Sequence, residues 1–353
     1  MMICFLFLAT VAICANSHPI EENEIFEMAN NSIDEENTID SSIPTDYIDL
    51  SQYGAALYGQ PDIDGTGKAV AEYTTESNTN PEELGSYVEG DILIPQQMGR
   101  NGLRAATSRW PNGIIPFEIR GNFNAREMAL IEQAITEFHS KTCIKFVPRM
   151  AQTDYISIVS GSSGCWSSVG RIGGKQEVNL QAPGCLTKPG TPMHELMHAV
   201  GFLHEQNRNE RDSYVTILFE NIQPSAVSNF DKASADKTTG FGVPYDYGSV
   251  MHYSSNAFST NRNPTIVPKR QGVKLGQRDG FSPMDVQKLN AMYNCNIGSN
   301  SVGASGGRPS GTNSNNGQQG PDANIINSFL GGLISGLGLA EESSTEKSQE
   351  LRE

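Results

Sequence analysis

The 353-residue chain has no hydrophobic run long enough to cross a bilayer, no cluster of basic residues and no internal repeat. A membrane-spanning helix needs about 20 consecutive apolar residues, and the apolar run at residues 3–15 falls short of that. Nucleic-acid binding depends on clustered Lys and Arg facing the phosphates, and no such cluster exists. No two cysteines have the close C-x-x-C spacing of a structural zinc site. We therefore expect no membrane span, no nucleic-acid partner and no thiolate zinc site.

The first residues predict a signal peptide at 1–15. Residues 3–15 are apolar and end in small residues, and acidic residues follow from Glu21 onward, which is typical of a secretory signal. The competing interpretation is a buried apolar strand. We expect a secreted, extracellular glycoprotein, with Asn30 in an N-glycosylation sequon. Four cysteines remain after the signal and predict two disulfides, with three pairings possible: Cys143, Cys165, Cys185 and Cys295.

Charge and composition divide the rest of the chain into three regions. Residues 16–100, the leader, hold 18 acidic and 2 basic residues, whereas residues 101–297, the body, hold 16 acidic and 20 basic. Residues 298–353 begin with a Gly/Ser/Asn-rich stretch that is typical of a flexible tail. The acidic leader either folds over the mildly basic body or stays disordered and keeps it soluble.

Hydrophobic spacing in the body predicts both strands and helices. Residues 113–120, 144–147 and 155–159 have the pattern of strands. Asn124 is a candidate N-cap for a helix whose apolar residues recur at steps of three and four: Met128, Ile131, Ile135 and Phe138. Ser282, followed by Pro283 and by an acid at position 285, predicts the start of a last helix at 284–293. The fold class expected from this order is α+β.

The stretch HELMHAVGFLHE at residues 194–205 predicts a metal site. His194 and His198 are four residues apart, so they lie on one face of a helix and can share a zinc ion. Glu195 adjoins the first ligand, where its carboxylate can serve as general base on a water molecule. On a continuous helix His204 would lie roughly 15 Å further along the axis, so the chain must turn at Gly201 to supply it as third ligand. Three protein ligands leave one position open, which is typical of catalytic zinc.

The longer pattern HExxHxxGxxH is a metzincin signature, and Met251 in SVMHY (residues 249–253) lies where the Met-turn of that group is found. Together with RWPNGIIPFEI at 109–119, CIKFVPR at 143–149 and CWSSVGRIGGKQEVNLQAPGC at 165–185, these strings resemble the astacin family of zinc metalloendopeptidases. The resemblance covers nearly all of residues 101–297.

The resemblance implies a two-lobed, zincin-like catalytic domain at 101–297, with a β-sheet N-lobe and a mostly helical or irregular C-lobe around a substrate cleft. It implies one zinc ion, and Tyr253 as a further zinc ligand that swings away to stabilise the oxyanion. It also implies two disulfides, Cys143–Cys295 and Cys165–Cys185.

The same resemblance makes residues 16–100 a propeptide. Precursors of this family have an F-x-G-D type segment whose aspartate occupies the zinc site, and the matching YVEGD at 87–91 makes Asp91 the candidate zinc switch. A carboxylate is a good zinc ligand and would displace water; the alternative is an ordinary turn aspartate after Gly90. An activating protease would cut between Arg100 and Asn101, and the new N-terminus would insert near Glu205.

The function expected from these residues is hydrolysis of internal peptide bonds in proteins, with Glu195 activating water and Tyr253 donating to the oxyanion. The alternative is a catalytically inactive relative that acts as a binding protein, which the presence of base, ligands and Met251 disfavours. A third interpretation, a matrix-interacting protein, would place the function in residues 298–353. We expect a monomer whose partners are protein substrates and the activating protease.

Overall fold

The computed structural model describes residues 47–50, 60–94, 106–235 and 238–295. Four predicted features lie outside the described residues: the signal peptide at 1–15, the sequon at Asn30, the cleavage site at Arg100 and Asn101, and the tail at 298–353.

A five-stranded sheet organises the N-terminal half of the body. Before it, β1 (Tyr47–Asp49) of the leader pairs antiparallel with β2 (Ala106–Ser108) of the body. The sheet itself consists of β3 (Ile114–Ile119), β4 (Lys145–Pro148), β5 (Tyr155–Val159), β6 (Cys165–Ser167) and β7 (Lys175–Leu180). Its strand order is β4-β3-β5-β7-β6, and only the edge strand β6 runs antiparallel to its neighbour. Further along the chain, β8 (Val215–Ile217) and β9 (Ile266–Pro268) form an antiparallel pair.

Four α-helices accompany these strands in the described part of the chain: α1 (Ile63–Ala71), α2 (Ala125–Lys141), α3 (Gly190–Val200) and α4 (Pro283–Met292). Helix α2 begins after Asn124, whose side chain accepts a hydrogen bond from the Glu127 N–H while Glu127 caps Asn124 in return. Helix α4 begins in the same way after Ser282, with Asp285 as the reciprocal partner. Because capping residues satisfy the first free N–H groups of a helix, both predicted helix starts are confirmed.

The main core lies between the sheet, α2 and α3. The predicted apolar face of α2 is buried, and Phe138 on this face packs edge-on against Phe146 of β4 and Phe281. Helix α3 is buried along its whole length. A second apolar cluster, around Phe230, Tyr253 and Phe258, lies in the C-terminal half, where short 3₁₀ turns replace the sheet. The α+β fold class is confirmed.

The leader is folded where the structure describes it. Helix α1 starts after Asp62, whose side chain accepts the Gly65 N–H at 2.9 Å, and Val70 of this helix is fully buried in the main core. A 3₁₀ turn follows at Pro81–Leu84. Of the two predicted alternatives for the leader, residues 60–94 therefore follow the first and fold over the body. Within the described residues, no helix combines the length and the apolar character that crossing a membrane requires.

Candidate metal centre

Helix α3 carries the first two histidines, and the turn after it brings back the third. His194 and His198 lie on one face of α3 with their Nε2 atoms 3.1 Å apart. Gly201 caps the helix with φ of 128°, a backbone conformation that L side chains rarely adopt. After this turn His204 Nε2 lies 3.3 Å from His194 Nε2. Glycine at position 201 therefore favours the turn that brings the third imidazole to the other two.

The leader supplies a fourth group to the same point. Asp91 Oδ2 lies 3.0 Å from His194 Nε2 and 3.2 Å from His204 Nε2, and Asp91 Oδ1 lies 3.5 Å from His198 Nε2. All four side chains are buried, and one donor atom from each lies within 4.8 Å of the others. The main chain beside Asp91 is held by the edge strand β6, because the Asp91 carbonyl accepts the Ser167 N–H at 2.9 Å.

The outer nitrogen of each histidine has its own acceptor. His194 Nδ1 lies 2.8 Å from the Val250 carbonyl and His198 Nδ1 lies 2.7 Å from the Phe202 carbonyl. A carbonyl can only accept, so Nδ1 carries the proton and Nε2 presents its lone pair to the cluster. His204 Nδ1 lies 2.6 Å from the carboxylate of Glu89, a second leader residue.

The donor set fits a zinc ion. Three imidazole nitrogens with one carboxylate oxygen are ligands that zinc commonly takes in proteins. Asp91 Oδ1 is buried without a hydrogen-bond partner among the described residues, and buried acceptors without partners are rare. A cation among these four side chains would provide that partner.

Glu195, the predicted general base, lies beside the first histidine of the cluster. It directly follows His194 on α3, is fully buried, and neither carboxylate oxygen has a hydrogen-bond partner in the described part of the chain. Burial, and then the nearby charge of Asp91, raise the pKa of Glu195 well above its ordinary value. A carboxyl group without competing hydrogen-bond donors can take up a proton, as a general base must.

The neighbouring charges set the ionisation of the cluster. Although burial opposes it, the imidazoles of His204 and His198 hold the pKa of Asp91 well below its ordinary value. Burial and then the charge of Arg278 lower the pKa of His194 to about 3. For His204, burial is outweighed by the Asp91 and Glu89 carboxylates, which raise its pKa to about 10, so binding of zinc at its Nε2 atom would release a proton. Asp91 is therefore held as the carboxylate, the form that binds a cation.

The turn at residues 249–253 lies beneath the cluster. Met251 is buried, and its carbonyl accepts the Glu205 N–H at 3.0 Å. Asp285 at the start of α4 holds this turn, because its carboxylate accepts from the Ser249 hydroxyl at 2.6 Å and the Val250 N–H at 2.9 Å. The turn is thus fixed on one side by α4 and supports His194 on the other through the Val250 carbonyl.

Tyr253 lies beside the cluster and contacts the leader. Its ring centroid is 4.7 Å from that of His204, and its hydroxyl donates to the Glu89 carbonyl at 2.6 Å. Glu89 has a φ of 48°, which is uncommon for a residue with a side chain. Glu89 of the leader therefore contacts both residues: its main-chain carbonyl accepts from Tyr253, and its side-chain carboxylate contacts His204.

Glu205, the predicted anchor for a new N-terminus, is already paired. Its carboxylate accepts from Lys288 Nζ at 2.6 Å, from Arg208 Nη1 at 3.0 Å and from the Asp246 N–H at 2.7 Å. A cavity of about 240 Å³ adjoins it, lined also by Arg109 and Lys288.

Two disulfides close the body. Cys143 is bonded to Cys295, which joins the start of β4 to the end of α4, and Cys165 is bonded to Cys185, which joins β6 to the turn before α3. The first closes a loop of 152 residues, and cross-links over long loops remove the most freedom from the unfolded chain.

Sequence reasoning missed three buried carboxylates of the leader: Glu82, Glu83 and Glu89. Acidic residues are almost never fully buried unless they are paired. A leader rich in acidic residues is therefore expected to be exposed, and its composition does not indicate contact with the body. One local signal existed, because Asn80 followed by Pro81 and by Glu83 is a capping-box pattern. That pattern predicts the 3₁₀ turn but not the surface against which it packs.

Comparisons with known proteins agree on one family. The model of the astacin family (peptidase family M12A) matches residues 102–294. Zinc metalloproteinase nas-4 of Caenorhabditis elegans is 38% identical over 277 residues, which are 74% of this chain and 84% of that protein. Zinc metalloproteinase nas-7 of the same organism is 41% identical over 62% of this chain, but the chain spans only 56% of that protein.

A vertebrate relative is similar in sequence and has a solved structure. High choriolytic enzyme 1 of Oryzias latipes is 42% identical over 228 residues, which are 62% of this chain and 81% of that protein. Its structure, described as a hatching enzyme zinc-protease, aligns with 54% of this chain and 94% of that chain at a TM-score of 0.49 and 44% identity.

Proposed function

The chain belongs to the astacin family of zinc metalloendopeptidases, and from that premise we propose that it is secreted as a latent precursor whose leader blocks the zinc site. One observation carries this proposal. The carboxylate of Asp91, a leader residue, lies 3.0 to 3.5 Å from the Nε2 atoms of all three histidines of the HExxHxxGxxH pattern. A group in that position takes the place that the nucleophilic water requires.

The chemistry follows from the residues around that point. His194, His198 and His204 would hold the zinc ion, which when bound acidifies a water molecule and polarises the carbonyl of the substrate. Glu195, which is free of competing donors among the described residues, takes the proton of the attacking water and returns it to the leaving amine. The Tyr253 hydroxyl donates to the oxyanion, a contribution worth roughly 2.7–4 kcal/mol in other enzymes.

The leader interferes with two of these roles. Asp91 occupies the ligand position, and the Glu89 carbonyl accepts the Tyr253 hydroxyl at 2.6 Å. The Glu89 carboxylate contacts His204 Nδ1 at 2.6 Å. Tyr253 can donate to an oxyanion only after Glu89 has left, so removal of the leader frees the ligand position and the phenol together.

Activation in this proposal is a cut between Arg100 and Asn101 by another protease. The new N-terminal ammonium would then enter the cavity beside Glu205. Glu205 already accepts from Lys288 and Arg208, so the arriving ammonium must share or replace one of these partners. Because Glu205 directly follows His204 in the chain, a contact between the new ammonium and Glu205 would link the new N-terminus to a zinc ligand.

Secretion is supported by the signal-like residues 1–15 and by the two disulfides. Disulfides form and persist in oxidising compartments outside the cytosol, and both bonds here join elements of the body. The sequon at Asn30 is consistent with the same route.

The test is casein hydrolysis by the purified, leader-free protein. We expect wild type to hydrolyse casein and to lose that activity with a chelator, whereas Glu195→Gln retains zinc by atomic absorption but has no activity. Glu220→Gln, an exposed glutamate with the same chemical change, is the matched control and should remain active. Undiminished hydrolysis by Glu195→Gln would contradict the assignment, and an inactive but zinc-loaded wild type would favour the binding-protein alternative.

A further inference from the structure

The 3₁₀ turn of the leader, Pro81–Leu84, inserts two adjacent carboxylates into the body. Glu82 and Glu83 are 1% and 3% exposed, although acidic side chains are seldom buried without a partner. The turn is held in shape by Asn80, whose N–H and side-chain amide both donate to the Glu83 carboxylate. The contacts of these two glutamates lie outside the zinc cluster.

Glu82 pairs with Arg278 in the interior. Arg278 Nε donates to Glu82 Oε1 at 2.5 Å, Arg278 Nη2 contacts the same oxygen, and the Thr191 hydroxyl reaches Glu82 Oε2 at 3.4 Å. Both charged side chains are at most 1% exposed. Water therefore screens the pair little, and the attraction between the two charges is far stronger than at the surface.

Arg278 is fixed by the elements that also build the zinc site. Its carbonyl accepts the N–H of Gly190, the first residue of α3, at 2.9 Å. Its Nη1 donates to the carbonyl of His252, next to Tyr253, at 3.2 Å. These contacts hold Arg278 in the interior of the body, where it would lose its carboxylate partner when Glu82 leaves.

Glu83 makes the neighbouring contact. Its Oε1 accepts the Ser254 N–H and its Oε2 accepts the Ser254 hydroxyl, each at 2.6 Å. Both donors are neutral. Removing the Glu82 carboxylate would therefore leave an opposite charge buried without its partner, whereas removing the Glu83 carboxylate would leave only neutral donors unpaired.

The anchor and the zinc-site aspartate belong to one compact piece of leader. A Cβ at Gly85 would lie 1.8 Å from the Gly90 carbonyl oxygen, so the turn holding Glu82 packs directly on the chain that leads to Asp91. The Tyr87 hydroxyl donates to the Ser163 carbonyl at 2.8 Å and fixes the segment between them. Holding Glu82 in place therefore also holds Asp91.

We propose that Glu82, through its buried ion pair with Arg278, is a second anchor of the leader that acts without the metal ion. The proposal rests on the latent precursor described above and adds to it a contact that is independent of zinc coordination. The leader then stays docked through two separate carboxylates, Asp91 at the zinc site and Glu82 at the guanidinium.

The experiment uses the zinc-loaded, full-length precursor carrying Arg100→Gln, so that the proposed cleavage does not occur. Hydrogen–deuterium exchange of residues 80–92 reports leader docking, and hydrolysis of a quenched fluorescent peptide reports latency. The variants are Glu82→Gln, Glu82→Asp and the control Glu72→Gln, which changes an exposed glutamate of the same leader. Each is also made in an Asp91→Asn background.

We expect Glu82→Gln to speed exchange of residues 80–92 and precursor hydrolysis by at least about tenfold, because it leaves a buried charge without its counter-charge. Glu82→Asp should give a smaller effect, and Glu72→Gln none. The effect of Glu82→Gln must persist with Asp91→Asn, since the anchor does not depend on the metal. Exchange in Glu82→Gln equal to that in Glu72→Gln, or an effect that vanishes with Asp91→Asn, would overturn the proposal.

Enzymatic removal of the leader, from matched versions of the same variants that keep Arg100, separates this proposal from the proposed function. Glu82 leaves with the leader, so all processed variants should be equally active, and equal activity shows that each has folded. A processed wild type without activity would contradict the peptidase function, whereas the exchange data would still decide whether Glu82 anchors the leader.

Discussion

Replacing Asp91 by asparagine tests the latency of the precursor. The change keeps the size of the side chain and removes the charge that faces three imidazoles at 3.0 to 3.5 Å. With zinc bound, the contact that is lost is the bond of the carboxylate to the metal ion. We take the roughly 1.5–3 kcal/mol of a hydrogen bond to a charged group as a lower bound for it, and about 1.4 kcal/mol corresponds to a factor of ten. One lost charge-assisted contact therefore shifts the leader from docked to released by roughly 10- to 150-fold.

The assay is hydrolysis of a quenched fluorescent peptide by the unprocessed precursor, again with Arg100→Gln to prevent cleavage. We expect Asp91→Asn to hydrolyse the peptide at least about tenfold faster than the parent, a conservative reading of that energy. Asp64→Asn makes the same chemical change at an exposed position of α1 and should hydrolyse the peptide no faster than the parent. An Asp91→Asn precursor without increased hydrolysis, or equal hydrolysis by both variants, would refute the reasoning.

Three further predictions concern the scaffold. Gly201→Ala forces a residue with a side chain into a φ of 128°, at a cost of about 1–3 kcal/mol, and should weaken zinc binding in a chelator competition. The control is Gly173→Ala, which is also at positive φ but would place its Cβ with no neighbour within 4 Å. It should lower the stability of the fold without changing zinc affinity. Phe138→Ala in the core beneath the sheet should lower the free energy of unfolding by about 3–5 kcal/mol in urea titrations; a loss below 1 kcal/mol would contradict the packing. Burial and then the Lys145 charge lower the pKa of His139 to about 4. As pH drops from about 6.5 to about 4, the unfolded chain therefore binds this proton before the folded chain does, and the free energy of unfolding should fall. His139→Gln should remove the part of that slope that one proton contributes.

The zinc site could be predicted from sequence because its geometry is mostly local. His194, Glu195 and His198 lie within one helical turn of each other, and Gly201 marks the only place in the pattern where the chain can reverse toward His204. The starts of α2 and α4 were equally predictable, since Asn124 and Ser282 each cap a helix with a reciprocal acid three residues later.

The leader could not be predicted in the same way because its structure depends on distant contacts. Helix α1 has nine residues, and isolated helices of that length are marginal in water, so it is stabilised by packing Val70 into the core. Glu82 finds its partner at Arg278, 196 residues away. No spacing within residues 60–94 indicates that contact, and an acidic composition alone favours solvent exposure.

The residues that hold the turn beside the zinc ligands could be predicted only in part. Asp285 was recognised as the acid of a capping box, but its second task, holding the Val250 N–H beneath His194, joins α4 to a turn 35 residues earlier. Tyr253 was expected near the zinc from the family resemblance, and the structure adds that Glu89 holds its hydroxyl. Neither contact follows from local pattern.

The most direct measurement of the central claim is the zinc position in crystals of the unprocessed, zinc-loaded precursor, found by anomalous diffraction at the zinc edge. We predict a single zinc ion bound by His194, His198, His204 and the Asp91 carboxylate, with Glu195 close by but not a ligand. An ion bound by the three histidines and water, with Asp91 turned away, would contradict the account.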